Sequence, residues 1–195
     1  EGLVEGSYNQ TDVIESFRND GMLNVRSNFK FTDENIKENV QLWLKDEKAC
    51  EAKCGHITMW DVSAVTDTSE LFKDATAFDE DLGEWDMSSV TKMDSMFEGA
   101  GTFEGKGIWK WNVSNVTSMA RTFKGALAFK GEGIEGWDIS NVTQMFDVFK
   151  GAVQFDHEKV TNWKIEEKSV CHSFKSNESL KEAAKEWCED EQTAE

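Results

Sequence analysis

Residues 134–155 read IEGWDISNVTQMFDVFKGAVQF, and versions of this stretch recur along most of the chain. A complete copy has an apolar residue three positions before and two positions after a Trp, then Ser, a Val–Thr pair, Met, Phe, Ala and a second Phe, and the first copy departs from it with Thr68 in place of Met. The Trp residues are spaced by 25, 26, 26 and 26 positions, at Trp60, Trp85, Trp111, Trp137 and Trp163. A fixed period of this length is typical of a solenoid, in which each repeat buries its apolar side against its neighbours.

The two halves of the repeat differ in their apolar spacing. Around Trp137, apolar and polar residues alternate, as they do in a strand that buries one side. The second half has helical spacing at Val142, Met145 and Phe149, and Gly151 follows where a helix end favours glycine. The sequence therefore predicts an α/β fold, a right-handed leucine-rich-repeat-like solenoid of about five coils. We expect one short parallel strand and one short helix per coil, with helical caps at both ends.

The repeats divide the chain into four predicted segments. These are an N-terminal extension over 1–30, a capping helix with the segment leading into the repeats over 31–56, the repeat solenoid over 57–165, and a C-terminal capping helix over 166–195. The absence of proline from the whole sequence fits a chain whose strand ladders need every backbone amide.

An amphipathic stretch over residues 32–48 predicts the N-terminal cap. Thr32 or Asp33 is the expected N-cap of this helix. Four apolar residues follow the spacing of one helix face, namely Ile36, Val40, Trp43 and Leu44. We therefore expect this face to cover the open end of the first repeat.

Composition and charge exclude several classes of partner. The chain has a net charge of −17 and a pI near 4.6, so it lacks the clustered Lys and Arg that nucleic acid or an anionic membrane surface requires. No run of about 18 apolar residues predicts a transmembrane helix. Because the chain starts at Glu1 without Met, a removed targeting peptide is compatible with it. We expect an extracytoplasmic, secreted or surface location, with an organelle lumen or stroma as the alternative.

The four cysteines lie outside the complete repeats, near the two ends of the chain. Disulfides there would fix the parts of a solenoid that lack a neighbour on one side. We favour the pairs Cys50–Cys54 and Cys171–Cys188. Sequence alone does not choose among the three connectivities that four cysteines allow, and free buried thiols are the rival interpretation.

The repeat also carries a family resemblance. The motif Trp137-Asp-Ile-Ser-Asn-Val-Thr-x-Met, followed by Phe149-x-Gly-Ala and Phe155, resembles the BspA-like surface-protein repeat, a leucine-rich-repeat-like family. The segment from Thr32-Asp-Glu-Asn-Ile to Gly55-His-Ile-x-x-Trp60 is similar to that of algal members. The resemblance implies surface adhesion or protein binding. It brings no catalytic residues and no cofactor, so we expect a protein that is not an enzyme.

Strand alternation predicts which side chains form an exposed face. The residues that we expect to line it are Glu84, Asp86, Trp109, Lys110, Asn112, Glu135 and Asp138. Trp109 is the most informative of them, because an exposed Trp on such a face is a typical interface anchor. The alternative is that a neighbouring loop covers Trp109.

One column of residues on this face is mostly acidic and is a candidate calcium site. Asp61, Asp86, Asn112 and Asp138 are expected to stack on successive coils, and stacked carboxylates offer the oxygen ligands that calcium prefers. The asparagine interrupts the charge, and Asp at a repeat turn more often accepts hydrogen bonds from backbone amides. We therefore predict no metal site and keep calcium as the weaker alternative.

Two functions fit these observations. The first is a non-catalytic protein-binding or adhesion module that acts through the exposed face. The second is an accessory or structural subunit of a larger organellar or photosynthetic complex, docked through its terminal regions. In both cases we expect protein partners.

Overall fold

The structure is a computed structural model, and it describes residues 29–161 and 163. Its regular elements are strand β1 (Lys30–Thr32), helix α1 (Ile36–Lys45), helix α2 (Glu47–Cys54) and strand β2 (Asp61–Ala64). The predicted extension before residue 29 and the predicted C-terminal helix over 166–195 lie outside the described residues, as do Cys171 and Cys188.

The N-terminal cap contains two helices where the sequence predicted one. The backbone of Asp46 is extended (φ −149°, ψ 84°), which ends α1 and lets the Asp46 carboxylate cap α2 by accepting from Ala49 N at 3.0 Å. Helix α1 begins after Asn35, so the expected N-cap at Thr32 or Asp33 is wrong. Ile36, Val40 and Trp43 are buried as predicted, but Leu44 is 41% exposed.

The repeats stack on one another in a regular order. Isolated parallel bridges join Asp67 to Lys92, Lys92 to Ser118, and Ser118 to Gln144. At each bridge a residue of one repeat pairs with its equivalent in the next, so the stack advances by about 4.8 Å per repeat. β1 pairs in parallel with β2, with Lys30 opposite Asp61 and Thr32 opposite Ala64. The segment 30–32 thus lies against the first repeat.

The first half of the repeat contains a strand only in the first repeat, as β2, and the later described repeats have turns where strands were expected. Short 3-10 turns occupy Ile57–Met59, Ile108–Lys110 and Ile134–Gly136, because the Trp amide donates to the carbonyl three residues earlier, as in Trp111 N to Ile108 O at 3.0 Å. The predicted burial pattern is nevertheless confirmed. Ile108, Trp111 and Val113 are buried, whereas the positions between them are exposed.

The second half of the repeat does not form the predicted short helix. Amides of alternate residues donate to the next repeat, for example Ser95 N to Ala120 O and Phe97 N to Thr122 O, both at 2.8 Å. Left-handed backbone at Ser95 (φ 54°) makes this alternation possible. These amides bond between repeats, while the intervening amides of Met96 and Glu98 donate to carbonyls three residues earlier, so the regular bonds of an α-helix do not form.

Aromatic columns fill the core of the stack. Neighbouring indoles of the Trp column lie about parallel, with ring centroids 6.2 Å apart for Trp111 and Trp137. Two further columns contain one Phe per repeat, and their members also meet within a repeat, as Phe97 and Phe103 do at 3.9 Å. From the second repeat onward, the indole nitrogen of the Trp column donates to a carbonyl of the preceding repeat, for example Trp111 Nε1 to Leu82 O at 2.8 Å. A leucine at this position would fill the space without supplying that bond.

Candidate binding face

All seven side chains predicted for the exposed face are exposed in the structure. They come from three consecutive repeats, the second to the fourth, and we call this surface the Trp109 face: Glu84, Asp86, Trp109, Lys110, Asn112, Glu135 and Asp138. Trp109 is 57% exposed. Within residues 29–161 and 163, no neighbouring loop covers this indole, contrary to the alternative.

A tight turn presents Trp109 to solvent. Gly107 precedes the turn in the left-handed conformation (φ 77°), and buried Ile108 and Trp111 anchor the two sides of it. In the next repeat, Gly133 lies against the Trp109 side chain, and a larger residue at that position would leave no room for it. A Cβ on Gly133 would lie 2.5 Å from Trp109 Cβ, and Gly133 has a left-handed backbone as well (φ 77°). The position of Trp109 is thus fixed by two neighbouring turns.

Lys110 lies beside Trp109 and is bound to an acid of the preceding repeat. Its ammonium lies 5.9 Å from the centroid of the Trp109 ring, and Lys110 Nζ donates to Glu84 Oε1 at 2.9 Å. The hydrogen bond to Glu84 raises the pKa of Lys110 above its ordinary value. Lys110 therefore stays protonated at neutral pH while its charge is largely compensated by Glu84.

The acidic column forms a series of small turns. Each side-chain oxygen accepts from the backbone amide two residues later, as Asp86 Oδ1 does from Ser88 N and Asp138 Oδ1 from Ser140 N, both at 3.0 Å. Asn112 repeats the arrangement with Ser114. Hydrogen bonds from Ser140 hold the pKa of Asp138 below its ordinary value. Asp138 is therefore ionised at neutral pH.

The described part of the chain offers no group of three or more His, Cys, Asp or Glu side chains placed to hold a metal ion. In the acidic column, one side-chain oxygen of each residue already accepts a hydrogen bond from the backbone amide two residues later. The structure gives no support to the calcium alternative within residues 29–161 and 163.

The predicted Cys50–Cys54 disulfide is absent, and both residues are free, buried thiols. Both lie on α2, and their sulfurs donate to Asn39, Cys50 Sγ to its carbonyl and Cys54 Sγ to its Oδ1, each at 3.3 Å. Burial, followed by the neighbouring Cys54, raises the pKa of Cys50 to about 11. Burial also raises the pKa of Cys54. The cap is thus held by packing and by polar contacts to buried Asn39.

Sequence analysis missed the residue that ends the stack on its N-terminal side. In the interior, Thr91 N and Thr91 Oγ1 donate to Thr66 O at 2.8 and 3.1 Å, and Thr117 bonds to Thr91 in the same way. Thr66 has no preceding repeat, and its N and Oγ1 donate to the Asp33 carboxylate at 2.7 and 2.6 Å. A carboxylate thereby replaces the missing carbonyl. The recurring Thr residues indicated that the first of them needs a hydrogen-bond acceptor, but they did not indicate that Asp33 provides it.

None of the helices in the described residues has the length and apolar character needed to cross a bilayer.

One known protein family matches the repeats of this chain. The sequence profile of one family, described as "Mycoplasma protein of unknown function, DUF285", matches residues 34–163 and again residues 101–194. Two overlapping matches agree with the internal repetition of the chain. The description names Mycoplasma, so the resemblance to algal members has no support from this match. No curated protein and no solved structure matches the chain significantly. With a profile match over residues 34–163, two thirds of its length, the chain belongs to the DUF285 family.

Proposed function

We propose that this protein is a non-catalytic binding module, a right-handed solenoid of the BspA-like kind, whose protein partner contacts the Trp109 face. The observation that carries the proposal is the 57% exposure of Trp109, whereas every other Trp among the described residues is buried. Trp is the residue type most enriched among the side chains that dominate binding energy. A soluble domain keeps such a side chain exposed at a cost in solubility, which a binding role explains.

The rigidity of the face supports the same function. Gly107 and Gly133 allow the left-handed turns that pack closely at Trp109, and buried Ile108 and Trp111 hold its turn to the core. A partner therefore meets an indole that is already positioned and does not have to order a loop. Preorganisation of this kind lowers the entropic cost of association.

A surface or otherwise extracytoplasmic location fits this function, and we propose it with the organelle lumen or stroma as the alternative. The free state of Cys50 and Cys54 removes one argument for an oxidising compartment. The location therefore rests on the family resemblance of the repeat and on the binding role.

A second function has an observation of its own. Leu127, Phe146 and Val153, all in the third and fourth repeats, are exposed although they are large and apolar. In the second repeat, Gly101 occupies the position of both Leu127 and Val153, and Asp94 occupies that of Phe146. The second repeat thus has a small or charged residue at each of these positions. An accessory subunit that docks through the C-terminal part of the stack would use such side chains.

The two functions predict different sensitive residues, so one experiment separates them. Partners are captured from the native source with the wild-type chain, with Trp109→Ala, and with the double variant Leu127→Ser/Val153→Ser, and are quantified by mass spectrometry. Loss of a defined partner with Trp109→Ala alone supports the binding module. Loss with the double variant alone supports the accessory subunit. Retention of the same partners by all variants contradicts both.

A further inference from the structure

We infer that the partner segment recognised by the Trp109 face is an extended, arginine-rich stretch of polypeptide. This inference rests on the proposed binding function of that face and specifies the chemistry of its partner. It follows from the distribution of charge around Trp109, from the aromatic platform itself, and from the distance over which the acidic residues are spread.

The uncompensated charge of the face is negative. Asp86, Glu135 and Asp138 are exposed, and within the described part of the chain none of them forms an ion pair with Lys or Arg. Lys110, the cation of the face, is bound to Glu84 at 2.9 Å. Three exposed carboxylates of the Trp109 face thus have no cation of their own, and a complementary partner supplies the positive charge.

The indole favours a cation as well. Lys110 already lies 5.9 Å from the ring centroid of Trp109, which shows that a cation is accepted at the edge of this site. With more than half of the residue exposed, a second cation can contact the ring. Arginine suits the position better than lysine, because its planar guanidinium stacks on an aromatic ring and forms paired hydrogen bonds with a carboxylate.

The spread of the carboxylates favours an extended segment. Asp86 belongs to the second repeat, Trp109 to the third, and Glu135 and Asp138 to the fourth. Two steps of the stack cover about 10 Å, which corresponds to about three residues of extended chain. A short segment that runs along the stack therefore reaches the indole and acids on both sides of it.

A defined peptide tests this inference. The probe is a fluorescein-labelled nonapeptide in which arginine alternates with serine, and its binding to the full chain is measured by fluorescence anisotropy at 50 and 300 mM NaCl. The matched probe carries citrulline in place of every arginine, which keeps the shape of the side chain and removes its charge. We expect binding of the arginine peptide to be at least tenfold tighter than that of the citrulline peptide, and to weaken severalfold with salt.

A pair of protein variants separates the face from the net charge of the chain. The face variant is Asp86→Asn/Glu135→Gln/Asp138→Asn. The control is Glu34→Gln/Glu38→Gln/Glu47→Gln, which removes three exposed carboxylates from the N-terminal cap and changes the net charge equally. We expect the face variant and Trp109→Ala each to lose at least tenfold in affinity for the arginine peptide, and the control to lose less than twofold.

Each other outcome overturns the inference. Equal losses in the face variant and the control would show that the peptide responds only to the overall charge of −17. Equal binding of the citrulline peptide, or no binding of the arginine peptide to the wild-type chain, would show that the face does not select a cationic segment. In those cases the partner capture with Trp109→Ala still decides independently whether the face binds a protein.

Discussion

The first repeat and the interior repeats satisfy the same backbone donors with different acceptors. In the interior, Thr117 N and Oγ1 donate to the carbonyl of Thr91, so each repeat provides the acceptor for the next. In the first repeat, Thr66 N and Oγ1 donate to the side chain of Asp33. The interior can therefore be extended by repeating one motif, whereas the end requires a residue that occurs once.

The aromatic core shows the same difference. Trp60 stacks on Trp85 of the next repeat as Trp111 stacks on Trp137. In place of a preceding indole, Trp60 stacks on Phe31 at 4.2 Å and meets Trp43 edge-on at 6.2 Å. The Trp60 indole nitrogen donates to Gly55 O, where Trp111 uses a repeat carbonyl. The cap thus imitates a preceding repeat piece by piece with non-repeating residues. A single substitution in the cap therefore removes an interaction that occurs only once in the described residues.

The largest effect is expected inside the stack. Trp111→Ala removes a buried indole from the aromatic column together with its hydrogen bond to Leu82 O, and should lower the free energy of unfolding by about 3–5 kcal/mol. Urea titration followed by circular dichroism measures the loss. A loss below about 1 kcal/mol would contradict the assignment of Trp111 to a packed core column.

Removal of the cap acceptor should have the next largest effect. Asp33→Ala leaves Thr66 N, Thr66 Oγ1 and Asp67 N without their carboxylate, and we expect a loss of about 1.5–3 kcal/mol. Amide hydrogen exchange should show faster exchange at Thr66 and Asp67 than at Thr117. The neighbouring Glu34→Ala serves as control, and equal effects of the two variants would refute the capping role of Asp33.

Acid should weaken both regions through lowered carboxyl pKa values. Burial opposes ionisation of Asp33, but hydrogen bonds from Thr66 and Asp67 outweigh it, so the pKa of Asp33 lies below its ordinary 3.8. Burial likewise opposes ionisation of Glu98, but Ser95, Lys124 and Lys73 hold its pKa below 4.5. A depressed pKa stabilises the fold above the unfolded-state value, and this contribution is lost as pH falls through the folded-state value.

The measurement is the free energy of unfolding between pH 6 and pH 2.5 for the wild type, Asp33→Asn and Glu98→Gln. Because each variant lacks one of the titrating carboxyls, we expect each to have a shallower decline with acid than the wild type. A decline as steep as that of the wild type in both variants would show that other carboxyls control acid stability.

A single hydroxyl of the Thr ladder should contribute less. Thr117→Val removes the bond from Thr117 Oγ1 to Thr91 O at 3.1 Å but keeps the backbone bond from Thr117 N, so we expect a loss of about 0.5–1.5 kcal/mol. Thermal unfolding measures it against Asp33→Ala under the same conditions. A loss as large as that of Asp33→Ala would show that the hydroxyl bond of an interior repeat stabilises the fold as much as the Asp33 carboxylate does at the end of the stack.

The smallest effect is expected at Trp109. Because this side chain is largely exposed, Trp109→Ala should change the free energy of unfolding by less than about 0.5 kcal/mol, although it removes as many atoms as Trp111→Ala. The same urea titration compares the two. Similar losses for both variants would contradict the separation of core and face.

Particular residues show why sequence analysis succeeded in part. It identified the buried Trp column, the buried Ile36, Val40 and Trp43, and the seven exposed side chains of the face, because a fixed period determines which positions are equivalent. It failed at the helices of the repeat and at the strands beyond β2. Spacing reports which side chains are buried, but both a strand and a chain of turns can bury Ile108, Trp111 and Val113 on one side.

The sequence alone determined the period, the apolar columns and the exposed face, since each follows from which residue types recur every 25 or 26 positions. Only the tertiary structure decided where the backbone amides donate. Ser95 and Phe97 donate to the next repeat and Thr66 to the Asp33 carboxylate, because a polar group must find its acceptor in space, and the nearest one belongs to another part of the chain.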